Sequence, residues 1–325
     1  MGQVLSKLSP FSNSWVDSNV GPMDDAALLN TGGASKLAFT VDFITPIVDE
    51  PEQYGAIAAA NSISDIYAMG AEPRVALAIC GFPEDLVSPD ILARILQGGA
   101  DKAREAGCAI VGGHTVLDPE LKYGLCVIGD LDPNHNLSQT GAKVGDRLVL
   151  TKRIGVGIAA QAIKKQQLSA EEMNEVVGSM SELNKGAKDA ALAAGSRAAT
   201  DVTGFGLLGH VHNLALGSGL SARIEAAKVP TFAATQRLAA EGLVPGGSKA
   251  NLRYVEATTT FEDAVSQDDR LILADAQTSG GLVIAVAPEN EALLLEQLEA
   301  NGVDVRETIG EIVDGPAGHI QVTAG

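Results

Sequence analysis

Acidic side chains dominate the segment between Lys7 and Arg74. Its only basic residue is Lys36, while it holds Asp17, Asp24, Asp25, Asp42, Asp49, Glu50, Glu52, Asp65 and Glu72. Two carboxylates about 4 Å apart repel by about 4 kcal/mol at an effective dielectric near 20. Where several converge, a divalent cation relieves the repulsion, and carboxylates with water suit magnesium, which commonly also holds a substrate phosphate. Asp17, Asp49, Glu50, Glu52 and Glu72 read as solvated surface acids. Asp24, Asp25, Asp42 and Asp65 each adjoin an apolar or small-residue run, and they are the candidates for such a site.

Other stretches carry weaker signals. Gly112-Gly113-His114-Thr115 comes after an apolar run. Its glycines would let backbone N–H groups approach phosphate oxygens and Thr115 adds a hydroxyl, yet a plain tight turn reads equally well. Asp201 precedes a glycine-spaced turn into Leu207-Leu208, as a helix N-cap or as a third metal carboxylate from a second domain. His210 and His212, two apart, do not share a helical face and make a poor metal pair. Asp275 to Gly281 is a polar loop at a cleft or a connector.

The elements that must position these groups are set by pattern. Residues 54–70 read as a helix stopped at Gly70, with Pro73 beyond; Asn61 and Asp65, four apart, share one face. Strands are expected at 37–41, 75–80, 108–111 (short and buried) and 123–128. Ser88-Pro89 opens a helix that ends near Ala106, before Gly107. A turn-rich stretch from Asp132 to Gly145 separates two units. The reading is therefore an arm at 1–19, an N-terminal domain at 20–135 and a C-terminal α/β domain at 145–325. In the second, a strand starts at Arg147, Ser169-Ala170-Glu171-Glu172 is a capping box, and a strand at 282–286 precedes a helix at 288–301. The last strands fall near 303–309 and 319–322. Strands alternating with helices of this length indicate mixed α/β layers.

Composition narrows the function classes. The net charge is −18 and aromatics are only 4%. Such a field repels nucleic acid and anionic lipid, so neither is an expected partner. Cys80, Cys108 and Cys126 form no C-x-x-C pair, and an odd count fits a reducing, cytoplasmic location. No apolar run approaches the ~20 residues of a membrane span. The apolar strands at 75–80 and 123–128 would leave an open sheet edge in a domain of modest size, and pairing across a two-fold axis removes it, so a homodimer is expected.

Taken together and in this order, Asn61 to Asp65 with Met69-Gly70, Gly112 to Thr115, Thr200 to His210 and Asp275 to Leu282 resemble the selenophosphate synthetase (selenide, water dikinase) family. The match covers about residues 20 to 323. The resemblance implies an α/β, two-domain fold like that of aminoimidazole ribonucleotide synthetase, whose N-terminal strands pair with a second subunit into a barrel. It implies conversion of ATP, selenide and water to selenophosphate, AMP and phosphate with magnesium. By motif, Asp25, Asp65 and Asp201 look like magnesium ligands. Met23, Asp24, Asp42, Asp65, Gly113, His114 and Thr115 look like ATP contacts.

One departure stands out. Family members carry a glycine-rich N-terminal loop with a cysteine or selenocysteine, and a catalytic lysine three residues later. Lys7-Leu8-Ser9-Pro10 resembles that lysine and the three residues after it, which puts Val4 at the nucleophile position and Ser6 before the lysine. Neither supplies a thiolate. Either the chain is N-terminally truncated or it has lost this step. The alternatives are a regulatory magnesium-ATP-binding homologue and a sibling kinase or synthetase of the same fold.

Overall fold

The computed structural model describes residues 14–16, 24–33 and 36–325. Its first sheet has five strands in the order β1-β2-β5-β3-β4. They are β1 (Ala27–Asn30), β2 (Lys36–Ile44), β3 (Glu72–Phe82), β4 (Ala109–Leu117) and β5 (Lys122–Leu131). β5 pairs antiparallel with both β2 and β3, and β4 lies parallel to β3. Helix α1 (Pro51–Ala68) connects β2 to β3, and α2 (Pro89–Glu105) connects β3 to β4.

The helix ends obey their local signals. Gly70 takes φ 75° just past α1, a left-handed conformation that glycine adopts without a Cβ clash. Ser88 caps α2 by accepting from the Ile91 N–H at 3.3 Å. α1 packs against β5 and β2 and against α2, burying Ile57, Ile63, Ile66 and Ile95. The two helices cross closely: a Cβ on Gly55 would lie 1.9 Å from the Ile95 carbonyl oxygen, so only glycine fits.

Among the described residues, only one face of this sheet is covered. β2 alternates, with Ala38 and Thr40 buried toward α1, while Phe39, Val41 and Phe43 are exposed on the other side. Two expectations need correction here. The strand expected at 108–111 as short and buried instead runs to Leu117 and is an exposed edge. Its glycines do not end it; at Gly113 it lies so close to β3 that a Cβ would lie 2.1 Å from the Ala78 carbonyl oxygen. The strands expected to carry an open edge, at 75–80 and 123–128, are internal, and the open edge belongs to β4.

The second sheet has seven strands in the order β7-β10-β6-β11-β8-β12-β9. These are β6 (Arg147–Leu150), β7 (Ala198–Asp201), β8 (Ser221–Glu225), β9 (Thr259–Phe261), β10 (Leu282–Val286), β11 (Glu307–Val313) and β12 (Ile320–Thr323). Its helices are α3 (Val156–Lys164), α4 (Ala170–Ser181), α5 (Lys185–Ala193), α6 (Gly206–Gly217), α7 (Thr235–Ala240), α8 (Gly246–Val255), α9 (Gln267–Leu273) and α10 (Glu291–Ala300). α4 opens with the expected capping box between Ser169 and Glu172. β10 is buried along its whole length because both sheet faces are covered. α5 and α10 bury Ala190, Leu294 and Leu298 on one face, and α6 buries Leu207, Leu208 and Val211 on the other. Among the described residues, no helix is long and apolar enough to cross a membrane.

Candidate active site

Five carboxylates converge on a cleft of ≈ 660 Å³ between the two units. Asp24 and Asp25 lie just before β1. Asp42 comes after Thr40 on the helix-facing side of β2, and Asn61 and Asp65 sit one turn apart on α1. Asp201 comes from the other unit, at the end of β7. It is not a helix cap: the next helix, α6, is preceded by Phe205 and has no side-chain cap.

Hydroxyl and amide donors hold these acids in place. Thr40 Oγ1 donates to Asp65 Oδ2 at 2.5 Å, and the Asn61 amide donates to Asp42 Oδ2. The backbone N–H of Gln139 donates to Asp24 Oδ1 at 2.7 Å, and its side-chain Nε2 donates to Asp25 Oδ1 at 2.6 Å. Thr200 Oγ1 also donates to Asp25 Oδ1, at 3.0 Å. Asp25 Oδ2 and Asp201 Oδ2 are nevertheless buried with no hydrogen-bond partner.

The electrostatics reflect burial and crowding. Burial pushes the Asp25 carboxyl well above the usual carboxylate range, and the nearby Asp201 and Asp65 charges push it further. Asp65 is raised well above its ordinary value by burial and then by Asp201. Asp201 is raised to about 6, chiefly by burial, with the Ser64 hydroxyl pulling the other way. Asp42 is raised by burial too. The buried Lys152, whose charge Asp201 feels, is committed elsewhere: it donates to the carbonyl oxygens of Glu182 at 2.7 Å and Ser279 at 2.9 Å. Burial lowers its ammonium to about 8.

Orphaned, buried, acceptor-only oxygens in an all-oxygen donor set suit a hard divalent cation, and magnesium fits these residues. A nitrogen lies beside them. Ligand atoms of Asp25, Asp201 and His210 fall within 4.8 Å of one another. His210 Nε2 accepts from the Thr203 N–H at 3.1 Å, and Nδ1 lies 3.4 Å from Thr200 Oγ1. The imidazole is thus engaged on both sides, and burial lowers it to about 4, so it is a neutral packing group beside the acids.

The remaining candidates lie elsewhere. Gly113, His114 and Thr115 are on the edge strand β4, separated from β2 by β5 and β3, and they do not line this cleft in the same chain. Lys7 and Met23 lie outside the described residues, as do Val4 and Ser6. Asp275 faces inward, accepting from Ser248 Oγ at 2.6 Å and the Ile158 N–H at 3.1 Å, while Ala276, Gln277 and Thr278 line the cleft. Gln139, Thr200 and Lys152 were not candidates from spacing. Thr200 heads the stretch that carries the family resemblance and Gln139 lies in the turn-rich stretch between the units, and nothing in the type of either marks a role in the site.

Comparison with known proteins agrees with this architecture. Residues 23–131 match the model of the AIR synthase related protein N-terminal domain, and residues 143–323 match that of its C-terminal domain. The chain is 42% identical over 302 residues to the selenide, water dikinase of Pelobacter propionicus, covering 92% of this chain and 86% of that one. It is 42% identical over 324 residues to that of Carboxydothermus hydrogenoformans, covering 99% and 93%. Among solved structures, thiamine monophosphate kinase from Aquifex aeolicus superposes with TM-score 0.67 at 17% identity, covering 92% of this chain and 90% of that one. Hydrogenase maturation protein HypE in complex with ATP gives TM-score 0.68 at 20% identity, covering 99% and 91%. These two likenesses are of fold. The near-complete match to the dikinases places the chain in the selenide, water dikinase family, built on the two-domain AIR synthase related fold.

Proposed function

We propose that the cleft binds magnesium-ATP and that the chain serves the reaction for which its relatives are named, converting ATP, selenide and water to selenophosphate, AMP and phosphate. The observation that carries this reading is the pair of buried, partnerless oxygens, Asp25 Oδ2 and Asp201 Oδ2, brought to one cleft from two units. Asp25, Asp65 and Asp201 would hold magnesium, which when bound neutralises phosphate charge and fixes its orientation. Asp42, fixed by Asn61, and Asp24, fixed by Gln139, shape the nucleotide side of the cleft, with Met23 assigned to the same role. Lys7 is the family lysine in this reading.

A homodimer belongs to the same proposal. Phe39, Val41, Phe43 and Leu77 form an exposed apolar sheet face, beside the open edge of β4, where Val111 and Leu117 are also exposed. An uncovered apolar face with an open strand is a partner surface. Pairing there makes Gly113, His114 and Thr115 part of an interface, from which they serve the nucleotide of the second copy. The cysteine usage fits a cytoplasmic enzyme.

One observation favours a second reading, magnesium-ATP binding without selenide chemistry. In the sequence the cysteine that comes first after Lys7 is Cys80, and Cys80, Cys108 and Cys126 are all in or beside strands of the first sheet. Burial raises the Cys80 thiol, and raises Cys108 to about 11, so neither is a ready thiolate. Two measurements separate the readings. Calorimetric titration with magnesium-ATP should show binding; no heat would defeat both. Phosphorus NMR of an anaerobic mixture with ATP, magnesium and selenide should then show whether selenophosphate forms. Binding without that product supports the second reading.

A further inference from the structure

Gln139 lies in the segment joining the two units, yet it is 2% exposed and lines the acidic cleft. Its backbone is clamped independently of its side chain. The N–H donates to Asp24 at 2.7 Å, and the carbonyl oxygen accepts from Ser218 Oγ at 3.2 Å. Gly217 presses against that carbonyl, where a Cβ would come within 2.8 Å. The carboxamide is oriented by its neighbours. Asp25, ionised when it holds a cation, can then only accept through Oδ1 at 2.6 Å, so it selects the nitrogen, which also reaches Thr200 Oγ1 at 3.1 Å. That choice leaves Oε1 buried with no hydrogen-bond partner. A carboxamide oxygen in that condition has lost its water without gaining a partner, a cost that an arriving donor removes. The orphan stands in the same cleft as two carboxylate oxygens in the same condition, Asp25 Oδ2 and Asp201 Oδ2, and one other amide oxygen, Asn213 Oδ1. The carboxylate oxygens suit a cation; the neutral amide oxygens suit a hydrogen-bond donor. Magnesium keeps several waters when protein-bound, and such waters are strong donors.

We infer that Gln139 is a positioning residue for the cation. Its nitrogen fixes the Asp25 carboxylate with one oxygen free, and its buried oxygen accepts from the cation's hydration shell. The inference rests on the magnesium reading above. It makes the inter-unit segment part of the metal site, although that segment contributes no charge to it.

Manganese binding, followed by electron paramagnetic resonance on the full chain, tests this. The wild-type chain should bind Mn²⁺. In Q139M, which keeps the volume and loses both polar atoms, affinity should fall roughly 10- to 100-fold, as for removal of a partner that orients a metal ligand. The melting temperature measured without metal should stay within a few degrees of wild type, because the backbone clamp remains. Q139N, with a shortened carboxamide, should lose several-fold and is the arm to rely on if Q139M does not fold. Mn²⁺ affinity within about twofold of wild type in the folded variants would overturn the inference, even with a lowered melting temperature, which would mark a purely structural role. Failure of the wild-type chain to bind Mn²⁺ would instead overturn the magnesium reading itself.

Discussion

The backbone N–H of Ser279 donates to Asn61 Oδ1 at 2.8 Å, and the Asn61 amide in turn holds Asp42. A loop of the C-terminal unit therefore sets an acid of the N-terminal unit through one carboxamide. The Ser279 peptide is itself held from behind by Lys152, at 2.9 Å, with φ 51°, a left-handed conformation unusual for a residue with a Cβ.

Asn61→Leu cuts this relay at its middle. The variant leaves the buried Ser279 N–H without its partner, which costs on the order of 1–3 kcal/mol, and removes the amide donor from the half-buried Asp42. A melting temperature lowered by several degrees and weaker magnesium-ATP binding are expected together. Calorimetry on both properties checks it; loss of stability with intact binding would argue against the relay.

Asp65→Asn should separate the two properties. It removes one negative charge from a crowded site while keeping size, so the metal-free protein should melt no lower than wild type, and higher if repulsion dominates. Magnesium-ATP affinity should fall by roughly 10- to 1,000-fold, the equivalent of about 1.4–4 kcal/mol. Unchanged affinity in a titration would sink the assignment of Asp65 as a ligand.

Asp275 gives the pH dependence a sign. Burial raises its carboxyl to about 6 from an ordinary 3.8, despite donors from Ser248 and Ile158. The folded state therefore binds this proton more tightly than the unfolded chain. The contribution is fully present below the unfolded value and is lost as pH rises through about 6. It amounts to on the order of 3 kcal/mol at most. Metal-free melting temperatures of wild type and Asp275→Asn, recorded from pH 7.5 to 4.5, should converge or cross as this dependence disappears in the variant. Parallel curves would refute it.

The exposed sheet face makes its own prediction. Val41→Glu places a charge at a position 54% exposed in the single chain, so it should leave the monomer fold intact. Light scattering should report a dimer for the parent and a monomer for the variant at micromolar concentration. A monomeric parent would remove the dimer proposal.

Under the second reading the 325-residue chain gives no selenophosphate, and placing a glycine-rich loop with a cysteine three residues before Lys7 should then produce it. A thiolate can hold selenium near the phosphate, and valine or serine at neutral pH cannot. A selenophosphate phosphorus resonance from the unmodified chain would show that the loop is dispensable.

Much of the fold is legible in the sequence because it is local. Gly70, Ser88 and Ser169 end or begin helices where expected, since caps and left-handed glycines act within one turn. The acids Asp24, Asp25, Asp42 and Asp65 are legible for a different reason: an excess of charge without nearby bases needs an explanation wherever the chain folds. Gln139 and Thr200 are not legible, because their partners, Asp25 and one another, are brought together only by the packing of two units. The edge strand β4 is misread because apolarity alone does not distinguish a buried strand from an exposed one at the edge of a sheet.

Lys152 has a consequence for selectivity. It is the buried cation that Asp201 feels, yet it is committed to two carbonyl oxygens and leaves the carboxylates uncompensated. In the proposed function, the cleft then works as a charge filter. A bare triphosphate meets repulsion from Asp25, Asp65 and Asp201, in a chain whose net charge is already −18. A nucleotide that arrives with magnesium, or after it, meets attraction instead. Free ATP should therefore be a poor competitor of the magnesium complex, and chelator should empty the nucleotide site even with ATP in excess.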